Sequence, residues 1–444
     1  MGNAFKAYDI RGIWEDELTP EMVYKVGFFL PQLLNCKTIL VGHDIRLSSE
    51  EIYSLLKKGI TDAGCDVLAI DKASTPMVYF STVHFGVDAS VQITASHNPK
   101  IYNGLKVSAK NAIPVGIDSG LGDLEKLVRN NEVIVKQVKG KVTEVDARTP
   151  YIAYLKQFVT DFSNLKLAVD CSNGMSSLIV KELLGDNVIY INDTFDGSFP
   201  NHEPNPLDPS TCKQLEKVVV DNKCDLGIIY DGDADRVMFV DEKGGYIFAD
   251  ISMAVLGINM LKDAPKGSKV VADIRTSRNT VSYLEKLGAE VYMWKVGHVN
   301  AKQKIREIGA IFGGELAGHY YFRDFFNCDS AAYATLHVLP VLSEYKAKGI
   351  TFSELIKSIG TWVTSGEINY KLESKDAVME ALYQAYEPSA DKVLDFDGYR
   401  FDYKDWWFNV RKSNTEPFLR LVIEAKDKAT LDEKLAEIKP YFHD

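Results

Sequence analysis

Residues 38–70 read TILVGHDIRLSSEEIYSLLKKGITDAGCDVLAI. The apolar run at 38–41 suits a buried strand, and Ser48-Ser49-Glu50-Glu51 offers a capping box for a following helix. That helix presents Ile52, Leu55, Leu56 and Ile60 on one face, stops at Gly64, and is followed by a second apolar run at 67–70. Strand, helix and strand of this length predict a crossover between parallel neighbours. The pattern recurs twice. Residues 165–169, then Ile179, Val180, Leu183 and Leu184 at helical spacing, then 188–191 repeat it; so do 270–274, then Val281, Leu284 and Leu287, then Val291. The repeats start near residues 38, 165 and 268, so they are 127 and 103 residues apart and predict three α/β domains of ordinary size. The C-terminal part reads differently. Residues 399–403, 406–410 and 419–424 form strands joined by tight turns, followed by a helix with Leu431, Leu435 and Ile438 on one side, an α+β pattern. The expected fold is α/β, with three topologically similar α/β domains and a smaller α+β C-terminal domain, divided as 1–145, 146–252, 253–364 and 365–444.

The 444 residues are 46% hydrophobic and 25% charged, the composition of a soluble globular chain. A formal net charge of −11 excludes an electrostatic nucleic-acid binder, which needs a basic face, and leaves anionic ligands to local positive clusters. The six cysteines are scattered with no C-x-x-C pair, so neither a zinc site nor a disulfide framework is expected, and a reducing cytoplasmic setting is. No apolar run reaches membrane-spanning length, and no signal-peptide core is legible at the N-terminus, so no membrane partner is expected. Oligomeric state is open at this level.

Three loops carry chemistry. Ser96 follows the β-like run 90–93 and precedes His97-Asn98-Pro99, whose proline ends the strand and leaves the hydroxyl on a turn. A serine there is either an ordinary turn residue or a group that can take and return a phosphoryl. Asp231, Asp233 and Asp235 fall at i, i+2 and i+4 after the apolar run 226–230. With Glu242 they match four positions of an EF-hand loop, but Arg236 stands where that loop needs glycine and 237–240 continues as a strand. Few hard carboxylate ligands suit Mg²⁺ completed by water or phosphate, with Ser96 phosphate as a further ligand and Arg236 placed to neutralise it. Residues 411–415 combine Arg411, Ser413, Asn414 and Thr415 into a grip for a phosphate that is not transferred. In the third segment His298, in Trp294-Lys295-Val296-Gly297-His298, is either a structural histidine or a substrate contact or proton carrier.

Thr94-Ala95-Ser96-His97-Asn98-Pro99, Tyr102-Asn103-Gly104-Leu105-Lys106, Asp231-Gly232-Asp233-Ala234-Asp235-Arg236, Tyr8-Asp9-Ile10-Arg11-Gly12 and Arg411-Lys412-Ser413-Asn414-Thr415-Glu416-Pro417 together resemble the α-D-phosphohexomutase superfamily, in its phosphomannomutase/phosphoglucomutase branch. The resemblance runs nearly end to end. It implies four domains around a central cleft and a mutase interconverting hexose 1-phosphate and hexose 6-phosphate, of mannose or glucose, with Mg²⁺ and a hexose 1,6-bisphosphate intermediate. Ser96 would be the phosphoserine, His97 and Lys106 proton carriers, and Arg11 a cation beside them; lysine becomes a base only if burial or a nearby cation lowers its pKa. Tyr8, Arg275 and Lys295 would touch the phosphosugar, and Gly314-Glu315-Leu316-Ala317-Gly318 resembles the sugar-selective loop, with Glu315 accepting from sugar hydroxyls. Ala317 stands where relatives commonly carry serine, and Arg275 where they often carry lysine. Phosphoglucosamine mutases share the plan but tend to a Ser-Gly-Thr-Glu-Pro loop. A phosphatase using the same serine and metal needs no second phosphate grip, and a silent phosphosugar-binding protein needs neither serine nor metal.

Overall fold

The structure, a computed structural model, describes residues 4–413 and 417–443. Each of the three repeats folds round a sheet of its own. In the first, Asp66–Lys72, Thr38–His43 and Ala89–Ile93 lie parallel side by side, and Tyr102–Ala109 returns antiparallel to Ala89–Ile93. The second has Ile189–Ile191, Leu167–Asp170 and Leu226–Tyr230 parallel, then Val237–Asp241 antiparallel. The third has Ala289–Trp294, Ser268–Asp273 and Phe312–Gly314 parallel, then Tyr320–Phe322 antiparallel. The parallel pairing and the internal repeat expected from the hydrophobic pattern are both present. The shared topology has a consequence for the site. In every sheet the loop from the third parallel strand into the antiparallel strand occupies an equivalent place, and those loops are the ones holding Ser96, the three aspartates and Glu315.

The C-terminal sheet is antiparallel throughout, in the order Val363–Lys371, Phe418–Ala425, Trp406–Lys412, Tyr399–Asp402, Lys392–Leu394, with Lys428–Ile438 packed against it. Arg411, the first residue of the expected phosphate grip, lies near the end of the strand Trp406–Lys412.

Local signals decide most element ends. Gly64, at φ +77°, follows the helix Ser49–Asp62 as expected. The expected capping box is not formed: Ser48 Oγ makes no cap bond and instead accepts from Asn103 Nδ2 at 2.9 Å, a tertiary partner that outcompetes the local one. A domain limit at 252 would fall inside the helix Ala249–Met260.

Besides a core of its own round Val23, Ile39, Ile52 and Leu105, the first domain shares an apolar core with the second and third. The shared core runs from Met77, Tyr79 and Phe80 in the helix Thr75–His84, through Leu167, Ile228 and Phe239, to Phe312 and the helix Ala331–Ala347. Burial on that scale, at about 25 cal/mol per Å² of apolar surface, makes these domains one packed body. The fourth has its own core round Phe401, Phe408, Leu421 and Ile423 and meets the third through a small apolar cluster of Leu316, Trp407 and Val422 and through polar contacts. There Arg400 donates to the carbonyls of Ile274 and Thr276, both at 2.8 Å, and stacks on Trp407. Among the described residues no helix is long and apolar enough to cross a membrane.

Candidate active site

Ser96 sits in the left-handed region at φ +52° and is 1% exposed. Its backbone N–H donates to Thr94 Oγ1 at 2.9 Å, and its Oγ donates to Asp231 Oδ2 at 2.8 Å, joining the first domain to the second. Gly232 is required for this approach, since a Cβ there would lie 2.6 Å from the Ser96 carbonyl oxygen. His97 Nδ1 lies 3.5 Å from the same hydroxyl. Asp231, Asp233 and Asp235 are all buried and offer oxygens within 4.8 Å of one another. Lys106 Nζ reaches Asp233 Oδ2 at 2.7 Å and Asp235 Oδ2 at 2.5 Å, and Thr75 Oγ1 donates to Asp233 Oδ2 at 2.5 Å. Arg11 donates to Asn98 Oδ1 at 2.6 Å and pairs with Asp9.

Electrostatics follow from this crowding. Burial first, then Asp233 and Asp235, push the Asp231 carboxyl well above the usual range. Burial would raise Asp233 too, but the Lys106 ammonium outweighs it and holds that carboxyl low. The expected lowering of Lys106 is reversed. Burial and Arg11 do lower it, but Asp233 and Asp235 attract the ammonium more strongly and the net shift is upward. In this arrangement Lys106 is therefore an ammonium. His97 is the opposite case: burial, then Arg236, Arg11 and Lys106, push it well below the ordinary histidine value, so it stands neutral.

The third domain brings its loop against the same cluster. Arg236 Nε donates to His319 Nε2 at 2.9 Å, His319 Nδ1 lies 2.7 Å from Asp329 Oδ2, and Lys302, fully buried, lies 2.7 Å from Asp329 Oδ1. Glu315 is buried, accepts from the Gly297 amide at 2.6 Å and from Tyr321 Oη at 3.1 Å, and is raised by burial. Tyr8 crosses from the first domain to donate to the Val296 carbonyl at 2.9 Å, and any Cβ at Gly297 would strike its ring. The His298 ring lies edge-on to Tyr8, its Nε2 buried without a hydrogen-bond partner, and burial followed by Lys302 and Lys106 pushes it well below its ordinary value. Ala317 is half-buried and Lys295 is exposed.

Arg275 is not presented as a free contact. It is 2% exposed, with Nη2 on Asp273 at 2.7 Å and Nη1 on Glu367 of the C-terminal sheet at 2.7 Å. Arg411 is 1% exposed and pairs through Nε with Asp397 Oδ1 at 3.2 Å, while its Nη2 is buried without a hydrogen-bond partner among the described residues. Asp397 Oδ2 in turn accepts from the Val296 amide at 2.7 Å, so the grip is tied to the third domain. Ser413 lies beyond the strand Trp406–Lys412, and its amide donates to the Phe418 carbonyl at 2.9 Å. Asn414 and Thr415 lie outside the described residues.

Sequence reasoning passed over Thr75, Lys302, His319, Asp329 and Asp397. Only His319 had a usable signal, closing the phrase Gly314-Glu315-Leu316-Ala317-Gly318-His319; the others reach the site from helices, a strand end and a turn with no motif spacing.

Models of four consecutive domains match the chain in order: Phosphoglucomutase/phosphomannomutase, alpha/beta/alpha domain I at 2–132, domain II at 149–245, domain III at 249–361, and the C-terminal domain at 367–440. The chain belongs to the phosphoglucomutase/phosphomannomutase family. Among relatives in that family, the phosphomannomutase of Vibrio cholerae is 36% identical, covering 98% of this chain and 97% of the relative. The phosphomannomutase of Methanocaldococcus jannaschii is also 36% identical, covering 98% and 96%. A solved phosphoglucomutase/phosphomannomutase family protein from Burkholderia thailandensis superposes with a TM-score of 0.89 at 27% identity, covering 99% of this chain and 97% of that one. As a member of the α-D-phosphohexomutase superfamily, the chain is a phosphohexose mutase.

Proposed function

We propose that this phosphohexose mutase interconverts hexose 1-phosphate and hexose 6-phosphate, with mannose and glucose as its sugars, through phosphorylated Ser96 and a hexose 1,6-bisphosphate, in the cytoplasm. The observation that carries the reading is the Ser96 hydroxyl, held in a left-handed turn 2.8 Å from Asp231 Oδ2. Phosphorylated Ser96 transfers its phosphoryl to the free hydroxyl of the bound monophosphate: the seryl O–P bond breaks and the seryl oxygen takes up a proton, the sugar O–P bond forms, and the sugar hydroxyl proton leaves to a neutral base. His97 suits that role, neutral and 3.5 Å from the seryl oxygen. The bisphosphate then turns end for end, and its other phosphate returns to Ser96. Lys106 and Arg11, as cations, offset phosphoryl charge.

The aspartate loop fits a hard divalent cation: three buried carboxylates converge, and Asp233 Oδ1 and Asp235 Oδ1 are buried without hydrogen-bond partners. Asp231, Asp233 and Asp235 would hold Mg²⁺, which when bound polarises phosphoryl oxygens and neutralises their charge. Arg411, with a buried N–H that has no partner among the described residues, supports a grip on the phosphate that stays with the sugar, and Glu315 supports reading of hydroxyls common to both orientations.

The test is equilibration of mannose 1-phosphate with Mg²⁺ and trace hexose 1,6-bisphosphate. Formation of mannose 6-phosphate is expected. Release of inorganic phosphate instead would make the protein a phosphatase, and no reaction would make it a binder. Parallel reactions with glucose 1-phosphate and glucosamine 1-phosphate rank the sugars.

A further inference from the structure

Arg46 lies in the turn after the strand Thr38–His43 and is 2% exposed. Its guanidinium is a hub for the loop that carries Ser96. Nη2 donates to the carbonyls of Ser96 at 2.8 Å and Asn98 at 2.6 Å, while Nη1 donates to those of Pro99 at 2.9 Å and Tyr102 at 3.0 Å. Nε lies 3.2 Å from Asp44 Oδ2. Asp44 is fixed in turn by the Arg46 amide at 2.9 Å and the Ser49 hydroxyl at 2.5 Å. Four N–H groups of a rigid fork therefore donate to four loop carbonyls while Nε stays beside a buried carboxylate, a set that a point-like ammonium cannot reproduce.

A second, independent feature covers the hub. Phe199 of the second domain places its ring 5.1 Å from the Arg46 guanidinium and is 7% exposed. It does so at φ +48° and directly before Pro200, a conformation disfavoured both for a bulky side chain and for a residue preceding proline. Arg46 also forms a β-bridge with Gly197. Strain of this kind persists where the surroundings over-determine it, and it gathers at working sites. Ser96 is likewise left-handed, a conformation disfavoured for any residue but glycine.

We propose that Arg46 is a positioning residue for phosphoryl transfer. It holds the Ser96 turn in its left-handed form and, through Phe199, keeps that turn in register with the aspartate loop of the second domain. The inference rests on Ser96 being the phosphoryl carrier.

Steady-state kinetics of Arg46→Lys test it, with kcat expressed per folded molecule from near-ultraviolet circular dichroism. A misplacement near 1 Å should lower kcat by about 100-fold. KM should stay within about twofold of wild type, because no contact to the sugar or its resting phosphate is lost. Phe199→Leu leaves the fork intact and removes only the aromatic face, so kcat should fall by about 3- to 10-fold with KM again unchanged. A wild-type kcat per folded molecule in both variants, or a loss carried by KM, overturns the proposal. Wild-type enzyme run alongside separates the two levels: if it neither isomerises nor carries phosphate on Ser96, the phosphoserine reading itself fails.

Discussion

Ser96 Oγ and Asp231 Oδ2 stand 2.8 Å apart although 135 residues separate them in the chain. The first domain supplies the hydroxyl and the second the carboxylate, so neither domain alone contains the group that would carry phosphate beside the group that would hold the metal. Ser96→Ala should therefore abolish isomerisation while the protein still folds, because only one hydroxyl is lost. Intact mass should show one phosphoryl on the wild type after incubation with hexose bisphosphate and none on the variant. Turnover persisting in Ser96→Ala, with phosphate on another residue, would reassign the carrier.

Asp233→Asn removes one carboxylate from the aspartate cluster and one of the two that hold Lys106. The Mg²⁺ concentration for half-maximal turnover should rise by at least about 10-fold, and maximal turnover should fall as well. Titration of activity against Mg²⁺ measures both, and an unchanged curve would remove the metal from this loop.

Arg411→Ala takes away a charge-assisted donor, worth about 1.5–3 kcal/mol in such contacts. KM for the hexose phosphate should rise by roughly 10- to 100-fold. Since Asp397 also ties this residue to Val296 of the third domain, the fourth domain should close less well and a larger share of phosphoryl groups should pass to water. Simultaneous assay of isomer and inorganic phosphate gives both numbers.

His337, remote from the site, makes stability depend on pH. Its ring packs among Phe158, Phe322 and Tyr333, and burial lowers its pKa to about 4. A histidine whose folded pKa lies below its unfolded value contributes full stability above the unfolded pKa and loses it as pH falls towards the folded one. Between pH 7.5 and pH 5 this one group should cost about 2 kcal/mol. Urea unfolding at the two pH values should show that slope in the wild type and lose that share of it in His337→Leu.

Much of the frame was legible because it is written in local chemistry. Strand and helix periods at 38–70, 165–191 and 268–294 exposed the repeat, and turn residues marked the loops in which Ser96, the aspartates and Glu315 stand, whereas Arg411, read as part of a loop, stands in the strand Trp406–Lys412. Less legible were contacts made by residues with no spacing signal. Thr75 and Lys302 reach the site from helices, and Arg46 from a turn, so nothing in their neighbours along the chain announces a role.

The sequence by itself determined three strand–helix–strand units, an antiparallel C-terminal sheet and one chemistry-bearing loop in each, since hydrophobic period and turn preference act over a few residues. Only the tertiary structure decided which loops meet and what charge each group bears there. Ser48 left its helix cap for Asn103, Arg275 went to Asp273 and Glu367, and Lys106 was held as an ammonium by two aspartates more than 120 residues away. The reason is physical: desolvation and Coulomb interaction depend on distance in space and on exclusion of water, and neither is set by distance along the chain.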